Sequence, residues 1–222
     1  MFFLLMLITA VPAYILGSVN GAIITSKLIF RKDIRDYGSG NPGLTNFYRV
    51  FGKGGFLLVL LIDVVKTIAP VMLGGWLFAQ NTDMVLTEVG PLHRFFDLTY
   101  FGQVLAGFFV MLGHCFPLFY KFRGGKGVMA IGSIVIVVDW RLALISWGVF
   151  AIITLLTRYV SLGAMLGSIA FLLSMYLFNI GGIAEHTIVI MCVLLVIGRH
   201  IPNIKRLLKG EESKLKLRRA KE

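Results

Sequence analysis

The sequence is poor in charged residues. Only 15% of its 222 residues are charged and 57% are hydrophobic, whereas charged residues make up about 25% of an ordinary soluble domain. This composition excludes such a domain and is typical of a membrane protein. No linker rich in serine or proline and no low-complexity tract divides the chain. We therefore interpret residues 1–222 as a single integral membrane domain.

Residues that hold metals or carry familiar catalytic motifs are also scarce. The two cysteines, Cys115 and Cys192, lie in apolar segments without metal-ligand spacing and are expected to pack in the core. No cluster of carboxylates suits magnesium, which disfavours transferases with an acidic metal site. H-E-x-x-H and G-x-S-x-G are absent, and Gly124-Gly125-Lys126-Gly127 lacks P-loop spacing. We expect neither a metal nor a cofactor.

Long apolar segments, in contrast, recur throughout the chain. A segment of 12 residues reaches about 18 Å as a helix, against a hydrocarbon core of about 30 Å. Whether the two short segments, 127–138 and 186–198, are full spans, tilted helices or re-entrant elements is therefore left open. The pattern predicts an all-α polytopic membrane protein with about seven transmembrane helices. The seven segments are 2–26, 55–79, 98–119, 127–138, 142–157, 160–178 and 186–198.

The excess of positive charge predicts the orientation. The net charge is +11, which is expected of the cytoplasmic loops of a membrane protein, and so little surface remains that nucleic-acid binding is excluded. Lys and Arg number six in 27–53, one in 80–97, three in 121–126, none in 179–186 and nine from Arg199 onward. We expect the N-terminus outside and the C-terminus in the cytoplasm. The role of the outside loop 80–97 is left open.

Three polar loops fall on the same, cytoplasmic side: the first motif loop (38–49), the second (121–128) and the third (199–212). Glycine and asparagine let successive N–H groups converge on an anion. Arg49 adds a planar fork of donors, and Lys126 adds an ammonium group. The residue types indicate a site for an anionic small molecule that carries a phosphate.

Two charges lie within an apolar segment. Asp63 and Lys66 are three residues apart, so they share a helix face and can form a pair. Intramembrane charges are costly and often functional, but a pair that only fixes helix packing fits equally well. His114, at the end of the third segment, is interpreted as a packing residue more readily than as a base.

The three motif loops resemble the signatures of one family. Ser39–Asn46 with Arg49, Gly113–Pro117 followed by Phe122–Val128, and Arg199–Glu212 are similar to those of the bacterial integral-membrane acyltransferases that acylate glycerol-3-phosphate from acyl phosphate. The order and spacing cover nearly the whole chain. In this chain Arg123 stands where that family usually has lysine, and Met129-Ala130 replaces a usual Ala-Thr.

The resemblance implies transfer of a fatty acyl group from acyl phosphate to the 1-hydroxyl of glycerol-3-phosphate. The products would be lysophosphatidic acid and phosphate, in the first acylation of phospholipid synthesis. It implies a bacterial inner-membrane protein with a cytoplasmic active site and no cofactor. The lipid bilayer and the soluble enzyme that produces acyl phosphate are further expected partners. The H-x-x-x-x-D motif of soluble-type acyltransferases is absent, because His93 and Asp97 are one residue too close.

The resemblance also implies roles for individual residues. Catalytic residues are expected to be Ser39, Arg49, Lys126 and His200. Phosphate and substrate binding is expected from Gly40, Asn41, Gly43, Thr45, Asn46, Gly124, Gly125, Gly127, Ser161 and Asn203. Asp63, Lys66 and Glu212 are expected to give structural support. With no obvious base, a substrate phosphate takes the hydroxyl proton. Which loop binds which phosphate is left open.

Two other classes of function use the same features. A transporter for organic anions would also have basic loops, but it needs polar residues along a path through both halves of the membrane. Here such residues concentrate on the cytoplasmic side, and Asp63 and Lys66 are the main exceptions. A scaffold for lipid-synthesis enzymes would leave the composition of Ser39–Arg49 unexplained.

Overall fold

The computed structural model describes residues 2–90 and 97–215, and the regular structure of these residues is helical. His93 and Arg94 of the outside loop and residues 216–222 of the basic tail lie outside the described residues. The α-helices are α1 Phe2–Gly17, α2 Gly21–Phe30, α3 Leu44–Phe51, α4 Phe56–Gln80, α5 Thr82–Val89, α6 Leu98–Cys115, α7 Val128–Val138, α8 Trp140–Thr157, α9 Val160–Leu177, α10 Ile183–Arg199 and α11 Ile201–Leu208. Short 3₁₀ turns lie at Ile34–Asp36 and Leu118–Tyr120. The predicted outside loop contains helix α5.

The first apolar segment, predicted at 2–26, forms two consecutive helices, α1 and α2, that together make one candidate span over 2–30. Helix α1 ends at Gly17, and Asn20 caps the start of α2 by accepting a 2.9 Å hydrogen bond from the Ile23 N–H. Asparagine is among the best N-cap residues, because its side chain satisfies an N–H that has no partner within the helix. The Asn20 amide also donates to the Pro42 carbonyl at 3.1 Å. The break therefore fixes the first motif loop to the helix bundle.

Five elements of the described chain are long and apolar enough to cross a membrane. They are 2–30, 56–80, 98–120, 140–157 and 160–177, and α10 with α11, bent by 55°, would make a sixth. Helix α7 has only 11 residues, and most of them are buried by the surrounding helices. A short helix is tolerated at membrane depth when protein covers it. The count of seven and the orientation of the termini stay predictions.

Helix α6 lies at the centre of the bundle and packs against α1, α4, α7 and α10. Small residues allow the close approach: a Cβ atom on Gly102 of α6 would collide with the backbone of Gly74 in α4. Helices α8 and α9 form a second pair, joined by a 2.8 Å hydrogen bond from Ser146 Oγ to the Gly167 carbonyl. Helix α7 packs on both α4 and α8, which scarcely touch each other.

Candidate functional site

The three motif loops meet around one cavity of about 700 Å³. The lining of this cavity, the first cavity, combines polar and apolar residues. Its polar residues are Ser39, Asn41, Thr45, Asn46, Arg49, Asp63, His114, Lys126, Ser161, His200, Asn203, Arg206, Glu212 and Ser213. Its remaining residues are glycine or apolar: Gly38, Gly43, Leu44, Val50, Leu60, Val128, Met129, Trp147, Phe150, Val160 and Ala164. Twelve residues predicted from sequence to serve the site are therefore brought together.

The first motif loop is held in shape by Asn46. The side-chain oxygen of Asn46 accepts from the Ser39 N–H at 2.9 Å, and its amide donates to the Tyr37 carbonyl at 3.0 Å. Gly38 has a φ of +61°, and a Cβ atom there would collide with the Asn46 oxygen. Asn46 thus braces the loop from within, while the Ser39 hydroxyl lies at the cavity wall.

Arg49 reaches the first cavity from α3. Its Nη2 donates to the Ser213 carbonyl at 3.3 Å, which is the one side-chain hydrogen bond it forms within residues 2–90 and 97–215. The guanidinium group carries five N–H donors, so most of them are left for an anionic ligand. This contact also joins the first motif loop to the segment that follows α11.

The second motif loop is folded around His114 and Arg199. Arg199 donates from Nε to the Gly125 carbonyl at 3.1 Å and from Nη2 to the Gly124 carbonyl at 3.0 Å. The Gly125 N–H donates to the His114 carbonyl at 3.0 Å, and Cβ atoms on Gly124 or Gly125 would collide with His114. Close packing therefore explains these glycines. Gly127, with a φ of +79°, caps the start of α7.

Two of these glycines, predicted to bind phosphate or substrate, lie away from the cavity walls. Gly125 and Gly127 line neither this cavity nor its neighbour described below, because the backbone turns them towards His114 and the start of α7. Gly124 lines only the neighbouring cavity. The contribution of this loop to the first cavity is the side chain of Lys126.

Lys126 belongs to a hydrogen-bonded network of polar side chains that lines the first cavity. Its Nζ donates to Asn203 Oδ1 at 2.6 Å, and Asn203 Nδ2 donates to Glu212 Oε1 at 2.6 Å. The same Oε1 accepts from Ser161 Oγ at 2.7 Å, and Oε2 accepts from Arg206 Nε at 2.8 Å. Glu212 therefore fixes the orientation of the Asn203 amide, which in turn orients the Lys126 ammonium.

The charges in this network shift each other's protonation. Burial lowers the pKa of Lys126 to about 8, against the opposing attraction of Glu212. Burial acts to raise the pKa of Glu212, but hydrogen bonds from Asn203, Ser161 and Arg206 outweigh it and hold that pKa below its usual value. At neutral pH the cavity thus holds an ionised carboxylate and a cationic lysine that is close to its titration range.

His200 presents an acceptor. Its side chain is buried, and its Nδ1 lies 2.8 Å from the Val196 carbonyl. A carbonyl oxygen can only accept, so Nδ1 carries the hydrogen, and in the neutral ring Nε2 is the nitrogen with a free lone pair. His200 lines the first cavity, where this nitrogen can accept a hydrogen bond from a hydroxyl group.

The predicted pairing of Asp63 with Lys66 is confirmed. Lys66 Nζ lies 2.8 Å from Asp63 Oδ1, 3.0 Å from His114 Nδ1 and 2.6 Å from the Val19 carbonyl that accepts from it. The Gly21 N–H also donates to Asp63 at 3.2 Å. Lys66 is thus fully used in joining α4, α6 and the α1–α2 break, and it does not line the cavity. Asp63 and His114 lie at its wall.

A second cavity of about 650 Å³ adjoins the first. The two share Ser39, Asn41, Lys126 and Arg206 as a common wall. Gly40, predicted to bind phosphate, lines only the second cavity. The side chains that line the second cavity are strongly cationic, and no carboxylate is among the described ones: they include Arg35, Arg123, Lys126, Arg199 and Arg206.

Sequence patterns assigned no role to Asn20, Trp147 or Arg206. Asn20 follows a long apolar run and precedes another, which is a helix-capping signal. Trp147 stands in the middle of an apolar span, although tryptophan in membrane helices concentrates at the interfaces. For Arg206, whose partner Glu212 lies beyond the end of α11, the sequence offered no such signal.

Comparisons with known proteins agree with this geometry. A family model described as glycerol-3-phosphate acyltransferase matches residues 7–210. A glycerol-3-phosphate acyltransferase of Thermoanaerobacter pseudethanolicus is 38% identical over 209 residues, with 94% of each chain covered. One of Staphylococcus carnosus is 36% identical over 209 residues, covering 92% of this chain and 95% of the relative.

Solved structures give the same result. The crystal structure of PlsY (YgiH), an integral membrane glycerol 3-phosphate acyltransferase, in its glycerol 3-phosphate form is 30% identical to this chain. The TM-score is 0.78, with 95% of this chain and 96% of the other covered. The lysophosphatidic acid form is 29% identical, has a TM-score of 0.76 and covers 95% of each chain.

Proposed function

Because this chain belongs to the glycerol-3-phosphate acyltransferase family and is an integral membrane protein, we propose that it uses acyl phosphate as its acyl donor. A fatty acyl group passes to the 1-hydroxyl of glycerol-3-phosphate, which gives lysophosphatidic acid and inorganic phosphate. The observation that carries this proposal is one cavity whose lining combines cationic and hydroxyl side chains with large apolar ones. Both substrates are anionic at one end, and the donor also carries a fatty chain.

The cavity residues supply position and charge. The hydroxyl oxygen of glycerol-3-phosphate attacks the acyl carbonyl carbon, the carbon–oxygen bond to phosphate breaks, and the departing phosphate takes the hydroxyl proton. Ser39 and Arg49 stabilise the negative charge that develops on the carbonyl oxygen. Lys126 neutralises phosphate, and the free Nε2 of His200 accepts from a glycerol hydroxyl and orients it. Ser161 and Asn203 hold the glycerol-3-phosphate beside them.

We also propose a location for this chemistry: the cytoplasmic face of a bacterial inner membrane, with the N-terminus outside. The loops that meet at the cavity come from the stretches richest in Lys and Arg, in agreement with the positive-inside rule. The fatty chain then reaches the cavity from the bilayer, and glycerol-3-phosphate from the cytoplasm. A soluble enzyme that makes acyl phosphate supplies the donor.

The test is phosphate release by the purified protein in lipid or detergent. Palmitoyl phosphate is supplied with and without glycerol-3-phosphate, and palmitoyl-CoA serves as the rival donor. We expect release that depends on glycerol-3-phosphate, formation of lysophosphatidic acid, and no reaction with the thioester. Acylation from palmitoyl-CoA alone would contradict the donor assignment. If folded protein uses neither donor, an anion transporter becomes the better explanation, and uptake into liposomes would test it.

A variant at Lys126 tests the site itself. Lys126→Ala removes the ammonium that the network orients, and we expect turnover to fall about 100-fold or more, as for loss of one preorganised electrostatic group. Lys53→Ala is the matched control, because Lys53 is exposed and lines neither cavity. Near-normal turnover of a folded Lys126→Ala protein would remove Lys126 from the mechanism.

A further inference from the structure

Apart from Leu44 and Val50 of α3, the apolar residues that line the first cavity come from four helices. Leu60 comes from α4, Val128 and Met129 from α7, Trp147 and Phe150 from α8, and Val160 and Ala164 from α9. We call this set the apolar slot. Helices α4 and α8 both pack on α7 and scarcely touch each other, and all three contribute to the slot.

Trp147 is the largest side chain of the apolar slot, and it is held in place on several sides. Its Nε1–H donates to the Gly132 carbonyl of α7 at 3.1 Å. Its ring lies so close to Gly132 that a Cβ atom there would collide with it. The ring also packs edge-on against Phe150, with 5.4 Å between the ring centroids. The indole is therefore a fixed wall, unlike the flexible side chain of Met129, which lines the same slot.

The distance of Trp147 from the end of α8 is similar to the depth that a fatty chain reaches in one leaflet of the bilayer. Helix α8 ends at Thr157, a few residues before the polar Ser161, and Trp147 lies ten residues earlier. At 1.5 Å per residue this is about 15 Å, which is about half of the 30 Å hydrocarbon core. A chain whose reacting end lies at the polar residues of the cavity thus meets the indole at about the depth of one leaflet.

We infer that Trp147 determines the acyl-chain length that the enzyme accepts, by closing the far end of the apolar slot. This inference rests on the proposed function. A rigid apolar wall discriminates by size, since one methylene group too many costs about tenfold or more in kcat/KM. Gly132 supports this inference. Because it has no side chain, the indole ring of Trp147 can pack directly against α7.

The experiment measures kcat/KM for saturated acyl phosphates of increasing chain length. For Trp147→Ala we expect the ratio of the next longer even-numbered chain to the wild-type optimum to rise about tenfold. Trp140→Ala is the matched control: Trp140 lies on the same helix, is 68% exposed and does not line the cavity. An unchanged length profile in Trp147→Ala, or the same shift in Trp140→Ala, would overturn the inference.

Two further variants keep the test decisive if Trp147→Ala does not fold. Gly132→Ala pushes the indole away from α7 and towards the slot, so we expect the optimum to move to shorter chains. Trp147→Phe keeps part of the wall but loses the second ring and its hydrogen bond, so we expect the same ratio to rise less than in Trp147→Ala. A Gly132→Ala profile that equals the wild type would contradict a wall at this position.

A binding measurement separates this inference from the proposed function. In a Trp76→Phe/Trp140→Phe protein, Trp147 is the sole tryptophan, because the chain has three. We expect lysophosphatidic acid brominated near the chain end to quench its fluorescence saturably, with unlabelled lysophosphatidic acid reversing the effect. Quenching absent from a protein that acylates glycerol-3-phosphate would overturn only the inference. Wild-type protein inactive with every acyl phosphate would instead overturn the proposed function.

Discussion

Glu212→Gln is the substitution whose effect the structure defines most closely. Glutamine keeps the size of the side chain and a carbonyl oxygen that can accept from Ser161 and Asn203. Its amide nitrogen, however, then faces Arg206 Nε, so that two donors oppose each other where a 2.8 Å charge-assisted hydrogen bond stood. The substitution removes the carboxylate while leaving the shape of the cavity unchanged.

The magnitude follows from that lost hydrogen bond. A hydrogen bond between charged groups contributes about 1.5–3 kcal/mol. The side chain of Arg206 is 39% exposed, so solvent screens it and the lower end applies. Since about 1.4 kcal/mol corresponds to a factor of ten, we expect kcat/KM for glycerol-3-phosphate to fall about tenfold. The loss should lie mainly in KM, because the Asn203 amide and the Lys126 ammonium lose their fixed orientation.

The assay is phosphate release at varied glycerol-3-phosphate and saturating acyl phosphate. Glu211→Gln provides the control, because it makes the same charge change at an exposed neighbour that forms no side-chain hydrogen bond among the described residues. A lower KM with kcat unchanged would refute the reasoning, since it would mean that the carboxylate competes with substrate phosphate. Equal effects of Glu212→Gln and Glu211→Gln would mean that Glu212 acts only through its contribution to net charge.

Three further predictions concern groups at or near the cavity. Activity that needs the ammonium of Lys126 should fall as pH rises through about 8, and Lys126→Arg should move that limb upward in a pH–rate profile; an unmoved limb would assign it to another group. Asp63→Asn leaves the Lys66 ammonium buried without its counter-ion and should destabilise the protein by about 3–5 kcal/mol, and the thermal midpoint in detergent should partly recover in Asp63→Asn/Lys66→Met. Gly125→Ala collides with His114 and should cost about 1–3 kcal/mol by overpacking; a wild-type thermal midpoint would show that the loop can yield.

Much of the fold could be predicted because hydrophobicity along a membrane chain is a strong, local signal. The second segment was expected at 55–79 and α4 runs over Phe56–Gln80, and the pairing of Asp63 with Lys66 follows from their spacing alone. The break at Asn20 is not evident from the sequence, because the chain is hydrophobic on both sides of it. The second partner of Asn20, the Pro42 carbonyl, lies in a distant loop.

The candidate site was predictable in its residue types and less so in its contacts. The convergence of Ser39, Arg49 and Lys126 on one cavity agrees with the placement of their loops on one side. That Gly125 binds phosphate stays a prediction: its close contact with His114 was not predictable, because composition cannot distinguish a glycine that approaches a ligand from one that approaches another chain segment. The roles of Trp147 and Arg206 depend on partners that only the packed helices provide.

The wall shared by the two cavities has a consequence for how their ligands can be told apart. Lys126 and Arg206 line both cavities, so a substitution at either residue changes the electrostatic potential in the first and the second cavity together. Kinetics of such variants therefore cannot assign a phosphate to one cavity. That assignment requires substitutions at residues that line only one cavity, such as Thr45 in the first and Arg123 in the second. A charge introduced at Thr45 acts mainly on the first cavity, and removal of the charge of Arg123 acts mainly on the second.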